Sequence, residues 1–151
     1  MKLLRTLLTL FVSQQAIACP DIYGTWQSSK ELSMDYNNKL GRATQPQTEL
    51  FEQILGILKL TYSDASIHDH GAPTLKVTIN GKQYDFVFED LEYKYEVLSC
   101  TDTSIKIRQH YPYGGPMTIT LNFINRNIYW VSPQHLPKTR EYFIRVSGER
   151  T

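Results

Sequence analysis

From Ile57 onward, apolar residues recur at every second position in one run after another. Leu58, Leu60 and Tyr62 fall on one side of the alternation and Lys59 and Thr61 on the other, the period of a half-buried β-strand. Leu75, Val77 and Ile79 lead into Asn80-Gly81, and Tyr84, Phe86 and Phe88 follow. An Asn-Gly pair between two alternating runs is the strongest short hairpin signal. Tyr93, Tyr95 and Val97 turn at Thr101-Asp102-Thr103 into Ile105 and Ile107, a second hairpin. Met117, Ile119, Leu121 and Phe123 turn at Asn125-Arg126-Asn127 into Ile128 to Val131, a third. After a loop with Pro133 and Pro137, the segment from Tyr142 to Val146 reads as the last strand, and Ile22 to Trp26 reads as the first.

One stretch departs from this period. Gln27 to Ala43 is a polar excursion, after which Thr44 can cap a helix with Pro46 in its first turn and with Leu50, Phe51, Ile54 and Leu55 on one face. The pattern predicts a short amphipathic helix over 46–55 inside the first long connection. The fold class that follows is all-β: an antiparallel up-and-down meander of eight or nine strands. Such a meander hides its edges by closing into a barrel. A barrel of about eight strands either encloses one small ligand or is filled by its own side chains.

The N-terminus has a different character. Lys2 and Arg5 precede the apolar run Leu7 to Val12, and Ala16-Ile17-Ala18 is a small-x-small cleavage site, which together make an export signal over 1–18. The apolar run is too short to span a bilayer, which takes about 20 residues. The remaining chain, 19–151, fits one exported domain, periplasmic or secreted. Its first residue is Cys19, and the only other cysteine is Cys100. An exported chain with an even cysteine count favours a disulfide, while Ala-Ile-Ala-Cys is a loose version of the bacterial lipoprotein box, in which the Cys19 sulfur would carry a lipid. These alternatives exclude each other. With strands alternating in direction from Tyr23, Cys100 ends the fifth strand at the pole away from Cys19. A bridge then needs either an N-terminal segment that wraps along the barrel or a strand count that differs by one, since bonded cysteines bring their Cα atoms within about 7 Å.

Gly24-x-Trp26 on the first strand and Arg145 on the last resemble the pattern of the lipocalins and the wider calycin superfamily. The resemblance implies a barrel in which Trp26 lies at the closed end with Arg145 across its ring, and in which the long 27–56 connection lies over the open mouth. It also implies a small apolar ligand or lipid in the interior. The helix over 46–55 stands where lipocalins have a loop, and their helix between the last strands is missing.

Charge and composition add little about partners. The formal net charge is +1 with mixed signs along the chain, so no basic stripe points to nucleic acid. Ten tyrosines strengthen the strand expectation. His68-Asp69-His70 has the alternate spacing at which two imidazoles can share a cation, with His110 as a candidate third ligand, but Ser63-Asp64 and Gly71-Ala72-Pro73 frame it as a solvated loop. Glu89, Asp90, Glu92 and Glu96 are distributed by alternation along exposed faces. A Gly-x-Ser-x-Gly elbow and a phosphate loop are both absent, so no catalytic residue, metal or cofactor is expected. Tyr111 to Pro116 reads as a stiff aromatic turn that could anchor a protein partner.

The expected function is therefore non-enzymatic. Tyr62, Phe86, Phe88, Ile107 and Leu121 would line a ligand-binding interior beneath a lid formed by the 44–56 helix and its flanks. The alternative is a filled barrel that acts through its surface on a periplasmic protein. A membrane enters only through a lipidated Cys19.

Overall fold

The computed structural model describes residues 18–40 and 42–148; nearly all of the export segment, residues 1–17, lies outside them. Eight strands form a closed barrel: β1 (Gly24–Ser29), β2 (Lys59–Tyr62), β3 (Ser66–Ile79), β4 (Lys82–Cys100), β5 (Ser104–Tyr111), β6 (Gly115–Asn125), β7 (Ile128–Val131) and β8 (Glu141–Ser147). Each pairs antiparallel with the next, and β8 pairs antiparallel with β1 to close the ring. The β1–β2 connection holds two helices, α1 (Lys30–Lys39) and α2 (Gln45–Ile54).

The strand boundaries correct the sequence reading between residues 66 and 100. The segment from His68 to Pro73, read as a loop, belongs to β3, and the runs 84–88 and 93–97, read as two strands, are parts of the single 19-residue strand β4. Gly71 and Pro73 are local breakers, but their departure from regular geometry is absorbed by a shift of register between Ala72 and Leu75. A bulge of this kind bends a strand without ending it, and it is one of the few places a sheet tolerates proline. The hairpin itself turns as expected, with Asn80 at φ 50° and Gly81 at φ 73°, the left-handed pair that a tight two-residue turn needs.

Merging two strands into one changes the parity of everything downstream. Cys100 ends the fourth strand, at the same pole as the start of β1. Cys19 and Cys100 form a disulfide with Cα atoms 5.5 Å apart, closing a sequence separation of 81 residues. With its sulfur in this bridge, Cys19 takes the disulfide form of the two alternatives. A disulfide is compatible with an oxidising, exported environment.

That pole is the closed end. Trp26 is wholly buried, and its indole N–H donates to the Ile22 carbonyl at 2.8 Å. The Arg145 guanidinium lies 4.4 Å from the Trp26 ring centroid and donates to the carbonyls of Tyr23, Asp21 (2.6 Å), Arg126 (3.2 Å) and Gly148 (2.9 Å). A single side chain thus gathers the first strand, the last strand and the β6–β7 turn. Gly24 serves the same closure: at φ 100°, a Cβ on it would lie 1.9 Å from the Gly148 carbonyl oxygen, so a side chain there would force β1 away from the end of β8.

Helix α1 lies within the polar excursion 27–43 and is a second helix in a connection where the sequence predicts one. Its buried residues are Ser33 and Asn37; the Ser33 hydroxyl accepts from the Tyr142 N–H at 2.9 Å, and the Asn37 amide exchanges two hydrogen bonds with the Arg140 backbone. The helix docks through hydrogen bonds to the start of β8 and carries no apolar stripe for a periodicity argument to find. Helix α2 lies within one residue of the predicted span, with the Thr44 N–H donating to the Gln47 side chain at 2.8 Å.

Candidate functional site

The barrel is packed at one end and hollow at the other. In the closed half, Trp26 packs edge-on against Tyr129 and Tyr129 stacks on Phe143, with ring centroids 4.7 and 5.0 Å apart, and Ile67, Ile105, Ile107 and Leu121 are sealed around them. Toward the open end the inward positions change character. Ile67 is followed on the same face of β3 by Asp69, and Ile105 and Ile107 are followed on β5 by Gln109. Two polar side chains replace two aliphatic ones, and a cavity of about 340 Å³ opens above the core. Leu58, Leu60 and Ile119 give it apolar walls, and the loop 132–135 between β7 and β8 lies at its rim.

Its polar groups are unusual for a space so enclosed. The Tyr62 and Tyr129 hydroxyls share one hydrogen bond at 3.3 Å. The Asp69 carboxylate accepts from the Gly71 N–H, at 3.3 Å. Glu141, the first residue of β8, accepts from the Ser28 hydroxyl at 2.6 Å. Gln109 is 5 % exposed and Tyr93 is 9 % exposed, and neither the Gln109 amide nor the Tyr93 hydroxyl is hydrogen-bonded to another of the described residues, although no side-chain nitrogen or oxygen among them is sealed without a partner. Both groups therefore face the cavity. Burial raises the pKa of Tyr62, Tyr93, Tyr111 and Tyr129, which keeps these hydroxyls protonated. Burial also raises the pKa of Asp69 and of Glu141, each opposed in part by its hydrogen bond.

A second cavity, of about 290 Å³, adjoins the first and shares Leu58, Pro133 and Glu141 with it. It lies between the apolar face of α2 (Leu50, Phe51, Ile54) and Phe86 and Phe88 on β4. Helix α2 is held there by Gln53, which exchanges two hydrogen bonds of 2.8 Å with the Thr78 backbone, and by Glu49, which accepts from the Asn80 N–H at 2.9 Å.

The predicted ligand-binding residues separate into three groups. Tyr62 lines the first cavity, and Phe86 and Phe88 line the second. Ile107 and Leu121 are fully sealed in the packed half and form the floor's support, not a wall. The reading missed Asp69, Tyr93, Gln109 and Glu141 as cavity residues. A signal existed for Gln109: it continues the inward parity of Ile105 and Ile107, and a polar residue at such a position marks a site that must be wet or ligand-facing. Asp69 was hidden by its assignment to a loop.

His68 and His70 point outward. The rings of His68 and His70 are 4.3 Å apart on the outer face; His68 Nε2 meets Asp90 at 2.9 Å and His70 Nε2 meets the Thr61 hydroxyl at 2.6 Å. His110 lies beside Glu96 on another face, 3.6 Å away. No group of three His, Cys, Asp or Glu among the described residues is placed to hold a metal. Tyr111 lines the cavity from the mouth, and Tyr113, 63 % exposed, stands beyond it.

The two raised carboxylates predict a pH effect on stability. Burial disfavours their charged form, so the folded protein holds these protons to higher pH than the unfolded chain does, and stability falls as pH rises above the ordinary carboxylate range. The double variant Asp69→Asn, Glu141→Gln is expected to gain thermal stability over the parent progressively between about pH 4 and pH 7. Melting curves at stepped pH check this; a gap that does not widen with pH would show that the carboxylates carry no burial penalty.

Comparison with known protein families, with curated proteins and with solved structures finds no match for this chain.

Proposed function

We propose that this is an exported, lipocalin-like binding module, without enzymatic activity, that holds one small ligand with a largely apolar body in the open half of the barrel. The observation that carries the reading is the about 340 Å³ cavity standing on a fully packed aromatic floor. An apolar-walled cavity of this size forgoes side-chain packing contacts that a well-packed core would have, and small-molecule sites are apolar concavities with a few placed polar groups. The Trp26–Arg145 pair, the eight-strand up-and-down order and the long β1–β2 connection support the lipocalin resemblance. The export pattern of residues 1–18 and the disulfide support a periplasmic or secreted location. A barrel acting only through its surface has no use for the hollow half, which favours ligand binding over that alternative.

The test is uptake of a neutral hydrophobic fluorophore, N-phenyl-1-naphthylamine, and its displacement by 1-octanol. The parent protein is expected to bind the fluorophore with a blue-shifted, enhanced emission. Ile119→Trp, which places an indole in the cavity, is expected to lose at least tenfold in affinity while keeping the parent's circular dichroism. A folded parent that takes up no fluorophore overturns the proposal.

A further inference from the structure

Two carboxylates face the first cavity, Asp69 from β3 and Glu141 from β8, on strands separated around the ring by β1 and β2. Among the described residues no lysine or arginine lines it, and His135, on the rim loop, is the one basic side chain there. The nearby arginines are committed elsewhere. Arg140 is stacked between Tyr36 and Trp130, 4.2 and 3.7 Å from their ring centroids, and Arg145 is held at the opposite pole by Trp26 and four backbone carbonyls. Acidic groups enclosed without a counter-charge are costly, and each is stabilised by a cation brought to it.

An independent observation points to the same space. Gln109 and Tyr93 are residues more than nine-tenths buried that line the cavity, and the Gln109 amide and the Tyr93 hydroxyl have no hydrogen-bond partner among the described residues. Both offer oxygen acceptors, and the tyrosines around them offer ring faces, which attract cations when desolvated. An apolar body with an anionic head, such as a fatty acid, would meet two carboxylates and no fixed cation.

We infer that the ligand of this cavity is an organic cation, an ammonium group carried on an apolar body, with its charged head between Asp69 and Glu141 and its N–H groups directed at the Gln109 and Tyr93 oxygens. This rests on the cavity-binding reading and goes beyond it by assigning the sign of the ligand's charge. Burial, which raises the pKa of both carboxyls, is offset once a cation sits between them, so ligand binding and carboxylate ionisation reinforce each other.

Three molecules with the same apolar body separate the two readings: octylammonium, 1-octanol and octanoate, each used to displace N-phenyl-1-naphthylamine at neutral pH. Octylammonium is expected to bind at least about tenfold more tightly than 1-octanol, because its hydrogen bonds are charge-assisted, and octanoate is expected to bind most weakly. Asp69→Asn and Glu141→Gln, tested separately, are expected each to reduce the preference for octylammonium several-fold and together to bring it within about twofold of 1-octanol. Circular dichroism of each variant, compared with the parent, shows that it is folded, and the preference is read as the ratio of octylammonium to 1-octanol affinity within each variant. Equal binding of octylammonium and 1-octanol, a preference for octanoate, or an octylammonium preference that survives in the double variant overturns the charge assignment and leaves the cavity reading standing. Failure of all three molecules and of the fluorophore overturns both.

Discussion

Trp26→Ala is expected to lower the unfolding free energy by about 3–5 kcal/mol, the range for removing a fully buried large aromatic. The loss has three parts, all at the closed end. The indole packs edge-on against Tyr129 and Phe123, with centroids 4.7 and 6.0 Å away, and the truncated side chain would leave a cavity where the floor of the barrel is most tightly filled. Its N–H satisfies the Ile22 carbonyl, and its face receives the Arg145 guanidinium, a contact worth about 2 kcal/mol when desolvated. Urea unfolding should show a lower midpoint with an unchanged slope. Trp26→Phe keeps most of the packing and should cost distinctly less. A loss below about 1 kcal/mol for Trp26→Ala would mean that the closed end can collapse around the missing ring and that Arg145 finds its anchor in the backbone carbonyls alone.

Breaking the Cys19–Cys100 bridge carries the second large effect. The cross-link spans 81 residues, and the chain-entropy account of loop closure assigns a link of that length roughly 4–5 kcal/mol through restriction of the unfolded chain. The double variant Cys19→Ser, Cys100→Ser is expected to unfold at a correspondingly lower denaturant concentration, and the parent with reductant should behave like the variant. The barrel itself should still form at low temperature, because the bridge ties an N-terminal extension to the end of β4 and is not one of the ladder pairings that close the ring. Identical midpoints for oxidised parent, reduced parent and variant would exclude a stabilising role. Conversely, loss of all secondary structure in the variant would show that the bridge supplies nearly the whole margin of stability.

These two effects concern the packed pole, whereas the ligand predictions concern the hollow one, and the barrel separates the two tasks spatially. The floor of aromatic rings holds the strands, so the mouth can keep polar groups unpartnered and carboxylates half-buried at a cost that the rest of the molecule carries. Residues that break local rules for a stable core, Asp69 and Gln109 above all, fall where strand positions pass from floor to cavity. Such violations are expected at functional positions.

Much of this protein is written in short-range pattern. Alternation of period two, the Asn80-Gly81 turn and the Asn125-Arg126-Asn127 turn are local signals, each decided by a few neighbouring residues, and they were sufficient for the strands, the hairpins and the closed barrel. The amphipathic face of α2 was legible for the same reason. Trp26 and Arg145 stand at opposite ends of the meander, and closure of first strand on last makes them neighbours. Three things were decided only by tertiary structure. Whether Gly71 and Pro73 end a strand or kink it depends on the partner strand, which accepts a register shift there; that choice merged two runs into β4, changed the parity of Cys100 and made the disulfide geometrically direct. Helix α1 is held by Ser33 and Asn37 bonding to backbone more than a hundred residues away, which leaves no apolar period in the sequence. The placing of Asp69, Tyr93, Gln109 and Glu141 around one space needed the curvature of the whole ring, because inward parity says that a side chain points into the barrel but not whether packing has filled the barrel at that height.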